Sequence, residues 1–119
     1  MATVSIEPGP LDITAWRGTT WRITQTVRDS GGALVNLTGY DCSWAMADTY
    51  GGTAVLSSGT ATGITLGGTA GTITHIVAAT ATAGVAIGSY VHQYELTEPG
   101  GTKPPFTAGV ITVKGEVVT

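Results

Sequence analysis

The sequence has little charge. Only 5 Lys and Arg and 8 Asp and Glu occur among 119 residues, so 11% is charged, against about a quarter in an average soluble domain. Neither sign is clustered, and nucleic-acid binding is not expected because phosphate neutralisation needs grouped Lys and Arg. The densest basic group, Arg17, Arg22 and Arg28, is interpreted as three solvated strand positions, with an anion site as the alternative.

Cysteine is almost missing too. The single Cys42 excludes an internal disulfide and a multi-cysteine metal site, and we expect it to pack as a small apolar side chain. Two isolated histidines and scattered carboxylates have no metal-ligand spacing, so neither a metal nor a cofactor is predicted. A calcium site that uses Asp29, Asp41 or Asp48 is the open alternative, although carboxylates beside turns usually bind local backbone amides.

Long hydrophobic runs are also lacking. Residues 1–10, MATVSIEPGP, contain no basic stretch leading into an apolar one, so no secretory signal is predicted. Apolar runs such as 76–79 are far too short to cross a bilayer. We expect a protein that is made in a cytoplasm and stays soluble without membrane contact, with residues 1–10 as an N-terminal arm.

Threonine and glycine take the place of the missing charge. Thr fits a pleated, half-solvated surface, and Gly supplies the turns that short strands need. Apolar and polar residues alternate with the period of two that is typical of half-buried strands. The four clearest segments are 20–29, 40–48, 71–77 and 88–98. This alternation places Trp21, Trp44 and Tyr90 in the core.

Weaker segments complete the predicted fold. Short strands are expected at 11–17 and 109–119, and the Gly/Thr/Ala-rich stretch 50–71 is interpreted as a loop or as short strands. Residues 78–84 are rich enough in Ala for one helical turn. About seven or eight strands without a sustained helical period predict one all-β domain over 1–119, built from two packed antiparallel sheets.

Several short motifs occur in a recognisable order along nearly the whole chain. They are WRGTT at 16–20, RDSGG at 28–32, VNLTG at 35–39, GTI at 71–73, GSY at 88–90, YEL at 94–96 and GVITV at 109–113. This ordered set resembles the immunoglobulin-like β-sandwich modules in small virion proteins of tailed bacteriophages, such as baseplate and tail-fibre attachment domains.

The resemblance implies an antiparallel two-sheet immunoglobulin-like sandwich that is a non-enzymatic structural component of a virion. Its implied partners are other virion proteins, in symmetric multiple copies, at the tail, the baseplate or a fibre attachment point. Tyr90 is similar to the corner tyrosine of such folds, whose hydroxyl bonds back to the backbone. His92 stands where antibody domains carry a cysteine, which removes any case for an antibody-type domain.

Enzymatic chemistry is not expected from the residues that are present. The nucleophile and base candidates, Cys42, His75 and His92, all lie on the apolar parity of their strands, and a thiol in apolar surroundings stays protonated and inert. The nearest carboxylate pair, Glu95 and Glu98, falls on opposite parities.

Aromatic residues near strand ends are the candidate interface residues: Trp16, Tyr50 and Phe106. Exposed aromatics anchor protein partners or stack on sugars. Two alternatives to the tail or baseplate hypothesis therefore stay open: a capsid decoration protein on the phage head and, in another class, a carbohydrate-binding module.

Overall fold

The computed structural model describes residues 11–29, 31–60, 62–103 and 107–115. The predicted N-terminal arm, 1–10, and Phe106 lie outside these residues. Within them the chain forms eight strands: β1 Ile13–Trp16, β2 Trp21–Thr26, β3 Asp41–Ala47, β4 Ala54–Thr60, β5 Gly63–Leu66, β6 Thr72–Val77, β7 Gly88–Thr97 and β8 Ala108–Lys114. The only helical elements among the described residues are a 3₁₀ turn, Gly68–Ala70, and a single α-helical turn, α1, Ala79–Thr82. The all-β prediction is confirmed.

The strands form one sheet in the order β1-β8-β7-β3-β4-β5-β6-β2. We call β1-β8-β7-β3-β4 the five-strand side and β5-β6-β2 the three-strand side. The prediction of a wholly antiparallel arrangement is wrong, because β1 runs parallel to β8 and β4 runs parallel to β5. The β4–β5 pairing spans only two positions, so the two sides join at a narrow seam.

The sheet curls until its two end strands approach each other, which gives a nearly barrel-shaped outline. β1 and β2 are the end strands in the sheet order, yet they follow each other in the chain. The indole Nε1 of Trp21 donates a hydrogen bond of 2.9 Å to the carbonyl oxygen of Trp16. The four-residue connection therefore holds the first strand of one side against the last strand of the other.

Alternation along the strands matches the prediction closely. In β3, Cys42, Trp44 and Met46 are buried while the residues between them are exposed. Each predicted strand segment contains a strand, with residues 116–119 of the last segment outside the described residues, and the uncertain stretch 50–71 contains β4, β5 and the 3₁₀ turn. The alternation fills the space between the two sides of the sheet with one cluster of apolar side chains.

Asp29 binds local backbone amides, as expected for a carboxylate beside a turn. Asp29 Oδ1 accepts hydrogen bonds from the backbone amides of Gly31 and Ala33, at 2.9 and 3.0 Å, which closes a tight reversal. That reversal joins Arg28 to Leu34 in a local bridge. It does not pair β2 with β3, because β2 pairs with β6.

The helical turn predicted for 78–84 is confirmed as α1, and a buried hydroxyl ties it to the β1–β2 connection. Thr82 Oγ1 donates to the carbonyl of Thr19 at 2.7 Å and accepts from the amide of Gly18 at 3.1 Å. Arg17 adds a bond from its Nε to the carbonyl of Ala83. This clamp fixes the place where the sheet curls back on itself.

Candidate functional site

Both histidines lie in the interior, where β7 and β3 face β6, and each contacts aromatic side chains there. Trp44 Nε1 donates to His92 Nδ1 at 3.0 Å, and His92 Nε2 lies 2.6 Å from the carbonyl oxygen of Leu11. Since Nδ1 accepts the indole proton, Nε2 must carry the ring proton and donate it to Leu11. His92 is therefore a neutral histidine in a fixed tautomer.

The second histidine bridges the two sides of the sheet. His75, on the three-strand side, lies with Nδ1 2.7 Å from the Tyr94 hydroxyl and with Nε2 2.9 Å from Ser58 Oγ. Both partners belong to the five-strand side. The His75 ring also lies 4.6 Å from the Trp44 ring, centroid to centroid, and meets the Tyr94 ring edge-on at 5.4 Å. The polar contacts in this core thus connect the two sides.

Burial keeps both histidines uncharged. It lowers the pKa of His75 to about 4, with a smaller contribution from the neighbouring His92. Burial also lowers the pKa of His92, opposed by the Leu11 carbonyl and by the Asp12 carboxylate. An imidazolium in this interior would lose most of its hydration, so the neutral forms persist at neutral pH.

Cys42 is buried and chemically quiet. Burial raises the pKa of its thiol to about 12, so the nucleophilic thiolate is negligible at neutral pH. Its thiol points at the carbonyl oxygen of Ser43, with an Sγ to O distance of 4.0 Å. It has no hydrogen bond to His75 or His92, the two bases that sequence reasoning set beside it.

The remaining polar groups do not assemble a reactive centre in the described part of the chain. Glu95 lies at the surface in an ion pair with Lys103, Nζ to Oε1 3.1 Å, whereas Glu98 is buried. No three His, Cys, Asp or Glu side chains come together as metal ligands among these residues. Within the same ranges, no helix is long and apolar enough to span a membrane.

Tyr90 bonds back to the local backbone through its hydroxyl. It is buried, and its hydroxyl donates a hydrogen bond of 2.5 Å to the carbonyl of Ala86, four residues earlier. This bond fastens the turn after α1 to the start of β7. Trp21 and Trp44, the other two predicted core residues, are also buried.

The exposed apolar side chains are distributed unevenly. Seven large hydrophobic side chains are exposed among the described residues: Trp16, Leu34, Tyr50, Val55, Ile76, Ile87 and Val110. Trp16, Val55 and Val110 point outward from the five-strand side, which we call the outer face, and Tyr50 borders it from the β3–β4 turn. Ile87 lies at its end, directly before β7. The outer face is therefore the apolar surface of the molecule.

Small side chains leave shallow depressions in the outer face between the large apolar ones. A shallow depression is lined by Ala45, Ala47, Tyr50, Val91 and Gln93 among others, and a second one continues it through Ser43 and Ser57. The wall-forming residues are uncharged except for Glu95 at one end. Such a surface accommodates another protein surface without leaving charges desolvated.

The three-strand side presents a different surface. Its outward residues in β2 and β6 pair in register as Arg22 with Ile76, Thr24 with Thr74 and Thr26 with Thr72. Thr65 of β5 pairs with Thr74 and extends the array. We call this surface the threonine face. Its hydroxyls can be hydrated in place, so it needs no partner.

Of the predicted interface residues, Trp16 is 48% exposed and Tyr50 61% exposed. Strands β8, β7 and β3 separate them, so they do not form one aromatic platform. Phe106 lies outside the described residues. Val55, Val91 and Val110 were not predicted as interface residues. Strict alternation is the signal that identifies Val91 and Val110, because it places them opposite their buried neighbours in β7 and β8.

No protein-family model matches the chain, and no curated protein matches it in sequence. Its function is therefore inferred from its own residues.

Proposed function

We propose that the protein is a non-enzymatic structural component of a tailed-phage-like virion that docks to other virion proteins at the tail, the baseplate or a fibre attachment point. The observation that carries the docking role is the segregation of its side chains. The His and Cys side chains are buried, whereas five of the seven exposed large apolar side chains lie on or beside the outer face. Exposed apolar patches on a small domain are typical of protein contact surfaces.

The proposed virion role depends on the resemblance carried by the ordered motifs from WRGTT to GVITV. The same resemblance implies a more specific fold, an immunoglobulin-like sandwich whose two layers are the five-strand and three-strand sides. Two observations support that fold: the β4–β5 seam pairs only two positions, and Tyr90 makes the backbone bond of a corner tyrosine. The low charge of the chain favours close association in a particle.

A capsid decoration protein would use the same outer face on a different part of the particle.

The carbohydrate-binding alternative depends on Trp16 and Tyr50, which are exposed but separated. Each aromatic ring would have to bind a sugar alone. A glycan array with the wild-type protein and with Trp16→Ala tests this directly, and sugar binding lost in the variant would replace the docking proposal.

Mass spectrometry of purified particles tests the virion proposal. We expect the chain at a fixed stoichiometry in particles, and separate analysis of heads and tails assigns it to decoration or to the tail. Val110→Lys, on the outer face, should reduce its incorporation strongly. Ile76→Lys, on the threonine face, is the matched control, since Val110 is 40% and Ile76 39% exposed. Absence of the wild-type chain from particles contradicts the proposal.

A further inference from the structure

The side chains of the outer face form rows that run across its strands, and the order of these rows indicates which partner could cover the face. Its strands are paired side by side, with one register shift between β3 and β4 at Met46/Ala47, so the outward side chains form rows that cross the strands. One row contains Val110, Val91, the buried Ala47 and, across that shift, Ala54. This row crosses the middle of the face, and the Asp12 carboxylate, which accepts a hydrogen bond from the Val110 amide, lies at its β1 end.

Rows of small or hydroxyl side chains flank the central row. On one side, Thr14, Thr112 and Ser89 pair across β1, β8 and β7. On the other side, Gln93 pairs with Ala45, which pairs with Ser57. Neither row contains a charge, so either could be covered without desolvating an ion.

Charges occur at the two ends of the face and differ in sign. Lys114 ends the face at one end, beside its register partner Trp16. Toward the other end lie Glu95, opposite Ser43 and paired with Lys103, and then Asp41, opposite Thr97. The strand positions between Lys114 and Glu95 correspond to roughly 27 Å along the strands, from eight residues at about 3.4 Å each. The central row lies midway between Lys114 and Glu95.

We propose that, in solution and before any virion partner takes the same surface, the outer face binds the outer face of a second copy of this chain, about a two-fold axis that lies across the strands along the central row. Such an axis places Val110 and Val91 against the same residues of the second copy. It also brings each Lys114 near the Glu95 of the other copy, while the exposed Asp12 of each copy lies at the edge of the contact, where water can solvate it. A two-fold contact requires this kind of self-complementarity.

The size of the face fits a homodimer. Five strands at about 4.8 Å spacing and a length of roughly 27 Å give on the order of 500 Å² before the relief of the side chains is counted. A standard interface takes about 800 Å² from each partner. The threonine face is smaller, with three strands of 4 to 6 residues, and exposes a single large apolar side chain, Ile76, so it offers less hydrophobic stabilisation.

Sedimentation equilibrium of the purified full-length chain over a range of concentrations tests the inference. The wild type should reach twice its chain mass of 12.0 kDa. Val110→Lys should raise the dissociation constant at least tenfold, because two lysines would meet at the axis. Ile76→Lys should leave it unchanged. Circular dichroism should show that both variants remain folded.

Charge reversal tests the direction of the axis. Lys114→Glu and Glu95→Lys should each weaken the dimer several-fold, and the double variant should recover most of the loss because the exchanged charges again face each other. Lys103 bonds Glu95 within the chain, but an exposed ion pair of this kind contributes little. Absence of recovery overturns the proposed axis.

A wild type that stays monomeric at every concentration overturns the self-docking inference, and so does a dimer that Ile76→Lys breaks and Val110→Lys leaves intact. These outcomes are separate from the virion proposal. A monomer found in particles would refute only the dimer, and a dimer absent from particles would refute only the virion role.

Discussion

The two outward surfaces of this molecule are made from the same kind of strand but differ in chemistry. The outer face has a central row of Val and Ala between rows of small and hydroxyl side chains, whereas the threonine face has paired hydroxyls and one exposed Ile76. Both cover the same interior. Strand propensity does not explain this difference, because Thr suits an exposed strand position as well as Val does. The larger number of exposed apolar side chains on the outer face is the reason for proposing a partner there.

One apolar core lies under both faces and supports them. Trp44→Ala should therefore produce the largest effect, a loss of about 4 kcal/mol in the free energy of unfolding, since it empties a large buried volume and leaves His92 Nδ1 without its donor. Urea unfolding measures this. Trp16→Ala, at a half-exposed tryptophan, is the control and should cost far less. Equal losses would contradict the assignment of Trp44 to the core and of Trp16 to the surface.

The second largest effect is expected from acid, which should lower the free energy of unfolding through His75, the histidine that connects the two sides. The pKa of His75 is lowered to about 4 in the folded protein and is near 6.5 when unfolded, so the unfolded state binds more protons below pH 6.5. Stability is complete above that pH and decreases as the pH falls toward 4. At pH 5 the loss from His75 is about 2 kcal/mol, and the lowered pKa of His92 acts in the same direction.

Unfolding in urea at pH 7 and pH 5 checks this dependence. His75→Gln keeps a polar side chain facing Tyr94 and Ser58 but removes the titrating group, so its stability should change less between the two pH values. If the variant and the wild type lose the same amount, His75 is not the source of the acid sensitivity.

A smaller effect is expected from the corner tyrosine, which acts within the five-strand side alone. Tyr90→Phe removes the hydrogen bond to Ala86 and should cost about 1 kcal/mol. Tyr50→Phe, at an exposed ring, should leave the urea midpoint unchanged. A midpoint for Tyr90→Phe equal to that of the wild type would show that the bond does not stabilise the corner.

The smallest effect belongs to the threonine face. Thr24→Val replaces an exposed hydroxyl with a methyl group of similar shape on a strand, so the unfolding free energy should stay within about 0.5 kcal/mol of the wild type. Its sedimentation behaviour should also be unchanged. New self-association in this variant would mean that the hydroxyls of the threonine face actively prevent docking.

Much of the fold could be predicted from alternation alone. The buried set in β3 and β7 follows from period two, because each strand has one side toward the interior. The parallel β1–β8 and β4–β5 pairs could not be predicted, since pairing depends on where the chain returns in space and local sequence does not encode it. Asp29 was predictable because its bonds are local.

The site was predictable only in part. Parity placed His75 and His92 inside, but it did not indicate that each would bond an aromatic side chain from another strand. The outer face required the register of five strands, because Val91 and Val110 are isolated in the sequence and become neighbours only through the pairing of β7 with β8. Tyr50 was predicted as an interface residue because it lies near a predicted strand end, and it is exposed.

Hydroxyl-radical footprinting of the associated and the dilute protein tests most directly whether the outer face docks while the threonine face does not. Association should protect the Trp16, Tyr50 and Val110 side chains from oxidation and leave Ile76 as reactive as before. Protection of Ile76 with none at Trp16, Tyr50 or Val110 would contradict the account.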